Sequence, residues 1–346
     1  MESGTMDSRS IMRPQCDNLI KEWLMNQHKP CPGPDLEEYW RYDSLIDSCA
    51  PVAPLKTAVI HPCDFDSLSG AIHAAEARLI EPVLIGPPAR IRQVASEARF
   101  DIASYRIIAA DHSHHAAEIG VALAHEGEAE ALMKGSLHTD EIMGEVVKKN
   151  GGLRTERRIS HVYLMDIPDF PRPLLITDAA ININPTLAVK VDICQNAIDL
   201  ARAMGIPNPK VAILSAVETV NPDMPSTLDA AALSKMAERG QIVGGIIDGP
   251  LAYDNAVSLE AARTKGIRSP VAGQADILVA PDLESGNMLA KQLTWQAHAD
   301  GAGIVLGARV PIILTSRSDN TRTRLASVAV ATRVVEARKR GLLKKG

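Results

Sequence analysis

From Leu55 onward the apolar residues fall in short blocks, and polar residues separate those blocks at regular intervals. The runs TAVIHP (57–62), PVLIGP (82–87), RIIAA (106–110) and EALMKG (130–135) are too short for helices and almost continuously apolar, which suits strands buried on both faces of a parallel sheet. HVYLMDI (161–167), LLITDAA (174–180), KVAILSA (210–216), GGIIDG (244–249), ADILVAP (275–281), GIVLG (303–307) and PIILTS (311–316) repeat the pattern. Between most of them the apolar positions recur every three or four residues, the helical period. One such stretch, 187–205, stops at Gly205 and Pro207; another, 323–340, ends in Arg and Lys residues that suit a helix C-terminus. Strand–helix alternation of this length predicts an α/β fold with helices on both faces of a mainly parallel sheet.

The rhythm breaks once. Only a Pro-rich turn separates the strands at 161–167 and 174–180, so they are predicted to pair antiparallel as a hairpin. A mainly parallel sheet rarely holds a hairpin in its middle, which places a lobe boundary near Asn150-Gly151-Gly152. Residues 51–150 plus 308–346 are expected to build one α/β lobe and residues 151–307 the other, with a cleft between them. Residues 1–50 are more polar, contain Lys29-Pro30-Cys31-Pro32-Gly33-Pro34, and read as an N-terminal extension with a short amphipathic helix over 17–25.

Composition narrows the function. The chain has 346 residues, a formal net charge of −5 and only 3% aromatic residues. That leaves no global attraction for nucleic acid or an anionic membrane, and little material for stacking bases. No segment reaches the roughly 20 apolar residues of a membrane span, and the N-terminus lacks a signal-peptide core. Five scattered cysteines without a CxxC pair fit reduced thiols, hence a cytoplasmic protein.

Ligands of α/β sheets collect where strands give way to helices, because backbone N–H groups point outward there. Four junctions are rich in polar groups. In ILTSRSDNTRTR (313–324), Thr315, Ser316, Arg317 and Asp319 combine hydroxyls and a guanidinium near a helix start, a good oxyanion site. Ser318 or Asp319 is also placed to cap that helix. In VAPDLESGNMLAKQL (279–293), Ser285-Gly286-Asn287 lets the backbone approach a ligand before a helix, or forms a capped loop. In ITDAAININP (176–185), Asp178, Asn182 and Asn184 are spaced along a loop and Pro185 starts a helix; Asn182 and Asn287 can equally serve local backbone groups. In MKGSLHTDEIM (133–143), Lys134 and Gly135 precede Thr139.

Other chemistries lack their motifs. There is no GxxxxGK[ST] loop and no GxSxG elbow, and the glycines at 301, 303 and 307 have the wrong spacing for a dinucleotide fingerprint. Asp111-His112-Ser113-His114-His115 reads as a solvated helix cap and Cys194 as an inert core thiol. No metal site is expected.

Together the junctions resemble the phosphate acetyl/butyryltransferase (phosphotransacetylase) family over about residues 55–340, above all in ITDAAININP, AILSAVETVNPDMPST, IIDGPLAYDNA, ADILVAPDLESGNMLAKQL and PIILTSRSDN. RYDSLIDSCAPVAPLKTAVIHPCD is also similar to the start of the transacetylase-like portion of bifunctional enoyl-CoA hydratase/phosphate acetyltransferase proteins, whose hydratase domain has no counterpart here. The resemblance implies two α/β/α lobes of isocitrate/isopropylmalate dehydrogenase-like type, an active-site cleft between them, and a homodimer. It also implies acyl-CoA and phosphate as substrates, coenzyme A as co-substrate, no permanently bound cofactor, and direct attack of CoA thiolate on an acyl phosphate. Ser316 and Arg317 match the family's Ser-Arg pair beside the acyl phosphate, and Ser285, Gly286 and Asn287 are expected to line the same cleft. The carboxylate that follows this pair in acetyl-type members is replaced by Thr323, leaving Asp319 as the nearest substitute; Arg322 and Arg324 are alternatives for lowering the thiol pKa. A basic residue expected in the helix after Thr139 is likewise replaced by Ile142-Met143-Gly144. Phosphate acetyltransferase is the reading adopted. A longer-chain acyltransferase and a weakened CoA-binding paralogue are its alternatives. A decarboxylating dehydrogenase is disfavoured, because Asp248, Asp254, Asp276 and Asp282 are dispersed.

Overall fold

The computed structural model describes residues 42–316 and 319–343. Residues 1–41, with the short helix expected over 17–25, lie outside that range, as do Arg317 and Ser318. All eleven apolar runs become strands: β1 (Leu55–Ile60), β2 (Ile80–Gly86), β3 (Arg106–Ala109), β4 (Ala131–Lys134), β5 (Ser160–Asp166), β6 (Leu174–Thr177), β7 (Lys210–Leu214), β8 (Ile246–Leu251), β9 (Ile277–Val279), β10 (Asp300–Leu306) and β11 (Ile312–Ile313). They form one continuous sheet in the order β3-β2-β1-β4-β11-β10-β5-β6-β9-β7-β8.

Five strands from the two ends of the described chain lie side by side, and six from its middle complete the sheet. Within the first group every pairing is parallel; β6, β9, β7 and β8 are parallel to one another as well. The junction is antiparallel three times over, β11 with β10, β10 with β5, and β5 with β6. The expected hairpin is therefore present, Val162 facing Thr177, but it lies inside the sheet and not at an edge. Because direction reverses three times, the parallel strands of the two lobes run opposite ways.

The flanking helices are α1 (Tyr42–Asp47), α2 (Phe65–Glu76), α3 (Pro88–Ala98), α4 (Ser113–Glu126), α5 (Thr139–Val146), α6 (Leu187–Ala203), α7 (Pro225–Glu238), α8 (Tyr253–Val257), α9 (Leu259–Thr264), α10 (Leu283–Gln296) and α11 (Thr321–Lys339). One apolar core runs unbroken along one sheet face, from Leu68 and Ile72 of α2 through Val328 and Val330 of α11 to Ile193 and Ile198 of α6. The opposite face carries two cores. One lies under α4 and α5, and the other surrounds Ile176, Leu278 and Leu293. Each fully buried Leu, Ile or Val contributes roughly 1.5–3 kcal/mol, so the shared core couples the lobes strongly.

Several expected boundaries shift. Pro185 does not start α6; Thr186 caps it and the helix begins at Leu187. Ser285-Gly286-Asn287 is not a loop but the first turn of α10, capped by Asp282. β11 holds only two residues of the expected six; beyond it Thr315 and Ser316 leave the ladder and are held from α11. The cap of α11 is Asn320, whose Oδ1 accepts Thr323 N–H at 2.8 Å, in place of Asp319; the alternative, Ser318, lies outside the described residues.

Candidate active site

A cavity of about 280 Å³ opens where β4 and β11 end, and α5, α10 and β5 close its other sides. Lys134, Thr139, Asn287, Thr315 and Ser316, drawn from three of the four sequence junctions, line it together. Tyr163 of β5, Lys291 of α10 and His138, just before α5, complete its polar surface.

The loop after β11 is shaped by a side chain from the next helix. Arg324 is buried, and its guanidinium donates to Thr315 Oγ1 at 3.0 Å, Ser316 O at 3.1 Å and Asp319 O at 3.3 Å. Room for it comes from Gly70 of α2, where an added Cβ would lie 2.7 Å from Arg324 Cδ. Asp319 closes the loop: its Oδ2 accepts Ser316 N–H at 2.6 Å, and its own N–H donates to Ser316 O at 3.2 Å. Burial raises the Asp319 pKa above the usual carboxylate range, although the Ser316 N–H and the charges of Arg324, Lys134 and Lys291 pull it down. The loop is thus surrounded by three cations and contains one carboxylate that is easily protonated.

The other junctions divide between lining the cavity and supporting it. Asp178 is buried, and its two carboxylate oxygens accept the N–H groups of Ala180, Ile181 and Asn182 plus Asn182 Nδ2, a fully occupied structural anion. Asn182 ties that loop to Ile159 O at 2.9 Å. Gly286 allows a close protein contact: an added Cβ would sit 2.3 Å from Asp178 O. Asn287 Nδ2 donates to Ala179 O at 2.9 Å, which fixes its remaining amide oxygen beside the cavity. Ser285 donates its hydroxyl to Asp282 Oδ1 at 2.7 Å and lines a separate, mostly apolar cavity of about 540 Å³ with Leu214, Tyr253, Leu289 and Leu293. Asn184 is exposed and joins neither cavity.

The arginines flanking Thr323 do not act as expected. Arg322 turns away to Asp300 at 2.6 Å and stacks 3.6 Å over the Tyr42 ring, while all three kinds of Arg324 nitrogen bind the loop. Lys291 of α10 brings a basic group to the cavity that Thr139 of α5 also lines. The spacing held a signal for it, since Lys291 lies one helical turn after Asn287. No comparable signal points to Arg324, eight residues from the hydroxyl whose backbone it holds.

Tyr163 and His161 were also hidden, inside a run that reads only as a buried strand. They alternate onto one face of β5, with rings in edge contact at 4.4 Å between centroids. Burial pushes the Tyr163 hydroxyl up to about 12, with Asp319 adding to the effect. His161 is fully buried and neither ring nitrogen makes a hydrogen bond. Burial lowers its pKa to about 4, against the opposing pull of Asp178 and the Leu314 carbonyl. Gly303 on β10 leaves the space, its absent Cβ falling 3.0 Å from His161 Nε2.

The remaining chemical candidates behave as capping and core groups. His112 Nδ1 accepts His115 N–H at 3.2 Å at the start of α4. Cys194 is buried, and burial pushes its thiol up to about 12. Among the described residues no group of three or more His, Cys, Asp or Glu side chains is arranged to hold a metal, and no helix is long and apolar enough to cross a membrane.

Residues 108–332 match the family model described as phosphate acetyl/butaryl transferase. The chain is 63% identical over 291 residues to a phosphate acetyltransferase of Rhizobium meliloti, covering 84% of this chain and 92% of that protein. A phosphate butyryltransferase of Clostridium acetobutylicum is 41% identical over 279 residues, with coverage of 81% and 93%. The fold superposes on a branched-chain phosphotransacylase from Enterococcus faecalis V583 with a TM-score of 0.72 at 31% identity, covering 81% of this chain and 99% of that one.

Proposed function

The chain belongs to the phosphate acetyl/butaryl transferase family and is an acyltransferase, and from that premise we propose that it interconverts acetyl-CoA plus phosphate with acetyl phosphate plus CoA in the cavity between β4, β11 and α10. The observation that carries this reading is the convergence of Lys134, Lys291, Thr315, Ser316 and Asn287 on one cavity of about 280 Å³. Two ammonium groups, two hydroxyls and an amide suit a phosphate dianion that must be held and then released.

In the direction that forms acetyl-CoA, the CoA thiolate sulfur attacks the carbonyl carbon of acetyl phosphate. Negative charge develops on the carbonyl oxygen, the C–O bond to phosphate breaks, and inorganic phosphate leaves with the bonding pair. Lys134 and Lys291 neutralise the phosphate, Ser316 donates to its bridging or peripheral oxygen, and Arg317, next in the chain, supplies a fork for the developing charge. Asp319 accepts the thiol proton: its raised pKa makes it a better base than an ordinary carboxylate, and its hydrogen bond to Ser316 N–H keeps it in place. Thr139 borders the entrance for the co-substrate. CoA is a co-substrate and no resident cofactor takes part. The two lobes, divided at 150/151 and 307/308, the homodimer and the cytoplasmic location belong to the same proposal. Light scattering on the full chain at micromolar concentration checks the dimer.

The preference for acetyl rests on the relatives, since the acetyltransferase is more similar to this chain than the butyryltransferase. Initial rates with acetyl, propionyl and butyryl phosphate test it. Highest kcat/KM for acetyl phosphate supports the proposal; a maximum at butyryl phosphate turns it towards the longer acyl group, and no turnover with any of them removes it.

A further inference from the structure

A second polar cavity, of about 440 Å³, lies where β5 begins and β10 ends. Along β11 this is the end away from Thr315 and Ser316. Four arginines line it, Arg154, Arg157, Arg309 and Arg338, against two carboxylates, Glu156 and Asp199.

These charges are not balanced inside the protein. Arg157 pairs with Asp199 at 2.5 Å. Arg338, in the last turn of α11, donates to Arg309 O at 2.9 Å and has no carboxylate within ion-pair distance among the described residues. Burial holds its pKa below the usual arginine value; Asp199 works against that and the Arg157 charge adds to it. The side chains of Arg154 and Arg309 are exposed and make no ion pair or hydrogen bond among the described residues. Four guanidinium groups around one cavity repel each other unless an anion enters, and their planar forks match the oxygen geometry of phosphates and carboxylates. The volume falls in the range of small-molecule sites and far exceeds that of one orthophosphate, since a single water takes up about 30 Å³.

The geometry points to a binding site for a small oxyanion with two or more negative charges, centred at the far end of β11 from the Thr315–Ser316 loop; a cavity of about 1140 Å³ shares Arg154 and Arg157 with it and Thr139 with the acyl-transfer cavity. Its ligand class is a phosphorylated or polycarboxylate metabolite, which four arginine forks recognise through paired oxygens. Arg154 and Arg309 supply the entry charge, and Arg338 and Arg157 form the inner wall. This inference goes beyond the acyl-transfer reading and does not depend on it.

Calorimetric titration of the full chain at low ionic strength, with inorganic pyrophosphate and with citrate as separate probes, tests the assignment. The comparison uses wild type, the double variant Arg154→Gln/Arg309→Gln, and Lys291→Gln, which alters the acyl-transfer cavity alone. At least one probe is expected to bind wild type and Lys291→Gln alike, and to bind the double variant at least tenfold more weakly. Binding of pyrophosphate alone identifies a phosphate ester as the ligand class; citrate alone identifies a polycarboxylate. The KM values for CoA and phosphate should be unchanged in the double variant. Failure of both probes to bind wild type, equal affinity in wild type and double variant, or a tenfold rise in the KM for CoA would each overturn the proposal, the last by assigning these arginines to the co-substrate. Loss of acyl transfer in wild type bears only on the other cavity, so the two readings fail separately.

Discussion

Asp319, half-buried, and His161, fully buried, are ionisable residues whose pKa shifts have opposite consequences. For Asp319, burial raises the pKa, so the active carboxylate form appears only above the ordinary carboxylate range. If it takes the thiol proton, kcat/KM rises with pH through that pKa. Asp319→Asn keeps an oxygen to accept the Ser316 N–H but cannot take a proton. A fall of about 100-fold at neutral pH and loss of the acid limb are expected from a pH–rate profile. A similar fall with the acid limb intact would reduce Asp319 to holding the loop. His161 acts on stability. Its folded-state pKa of about 4 lies below the unfolded value near 6.5, so the unfolded chain takes up a proton first as the pH falls. Stability is therefore full above about pH 6.5 and is lost progressively towards pH 4. Thermal melts of His161→Leu between pH 7 and 4 should show a shallower decline than wild type; parallel curves would show that His161 is not the source.

At the scale of elements, the site depends on how closely α10 and α11 approach the strand ends. Gly286 brings α10 against the Asp178 carbonyl, and the Asp178 carboxylate in turn organises the loop up to Asn182. Gly286→Ala inserts a methyl group 2.3 Å from that oxygen, which backbone cannot yield cheaply. A loss of roughly 1–3 kcal/mol in urea denaturation is expected, with Asn287 displaced and the KM for phosphate raised. Unchanged stability would mean that α10 moves without strain. The sequence carried the helix and the glycine but not this meaning, since a Ser-Gly-Asn run reads equally as a ligand loop. Asp178 shows the same ambiguity: a polar residue after an apolar strand is visible, but whether its oxygens face a substrate or four protein N–H groups is decided by the fold of the next four residues.

On the scale of the whole molecule, the period of the apolar runs was sufficient to read eleven strands and the antiparallel hairpin at 161–180. It could not reveal that the hairpin lies inside one sheet, because β10, the strand that pairs with β5 on its other side, comes from more than 130 residues later in the chain. The site was legible where the side chains follow strands, at Lys134, Thr315 and Ser316. It was hidden where a residue acts across elements, as Arg324 does from within α11, or shares a strand face with core, as Tyr163 does. The account as a whole requires that these groups bind phosphate for acyl transfer. Lys291 gives the direct test because it is exposed on α10, so its replacement leaves the core intact. Thiol release from acetyl-CoA, measured against phosphate concentration for the full chain and for Lys291→Gln, should show saturable, phosphate-dependent turnover in wild type. In the variant the KM for phosphate should rise about tenfold, near 1.4 kcal/mol, from the lost charge-assisted contact. Thiol release that is absent in wild type, or that does not depend on phosphate, would contradict the account.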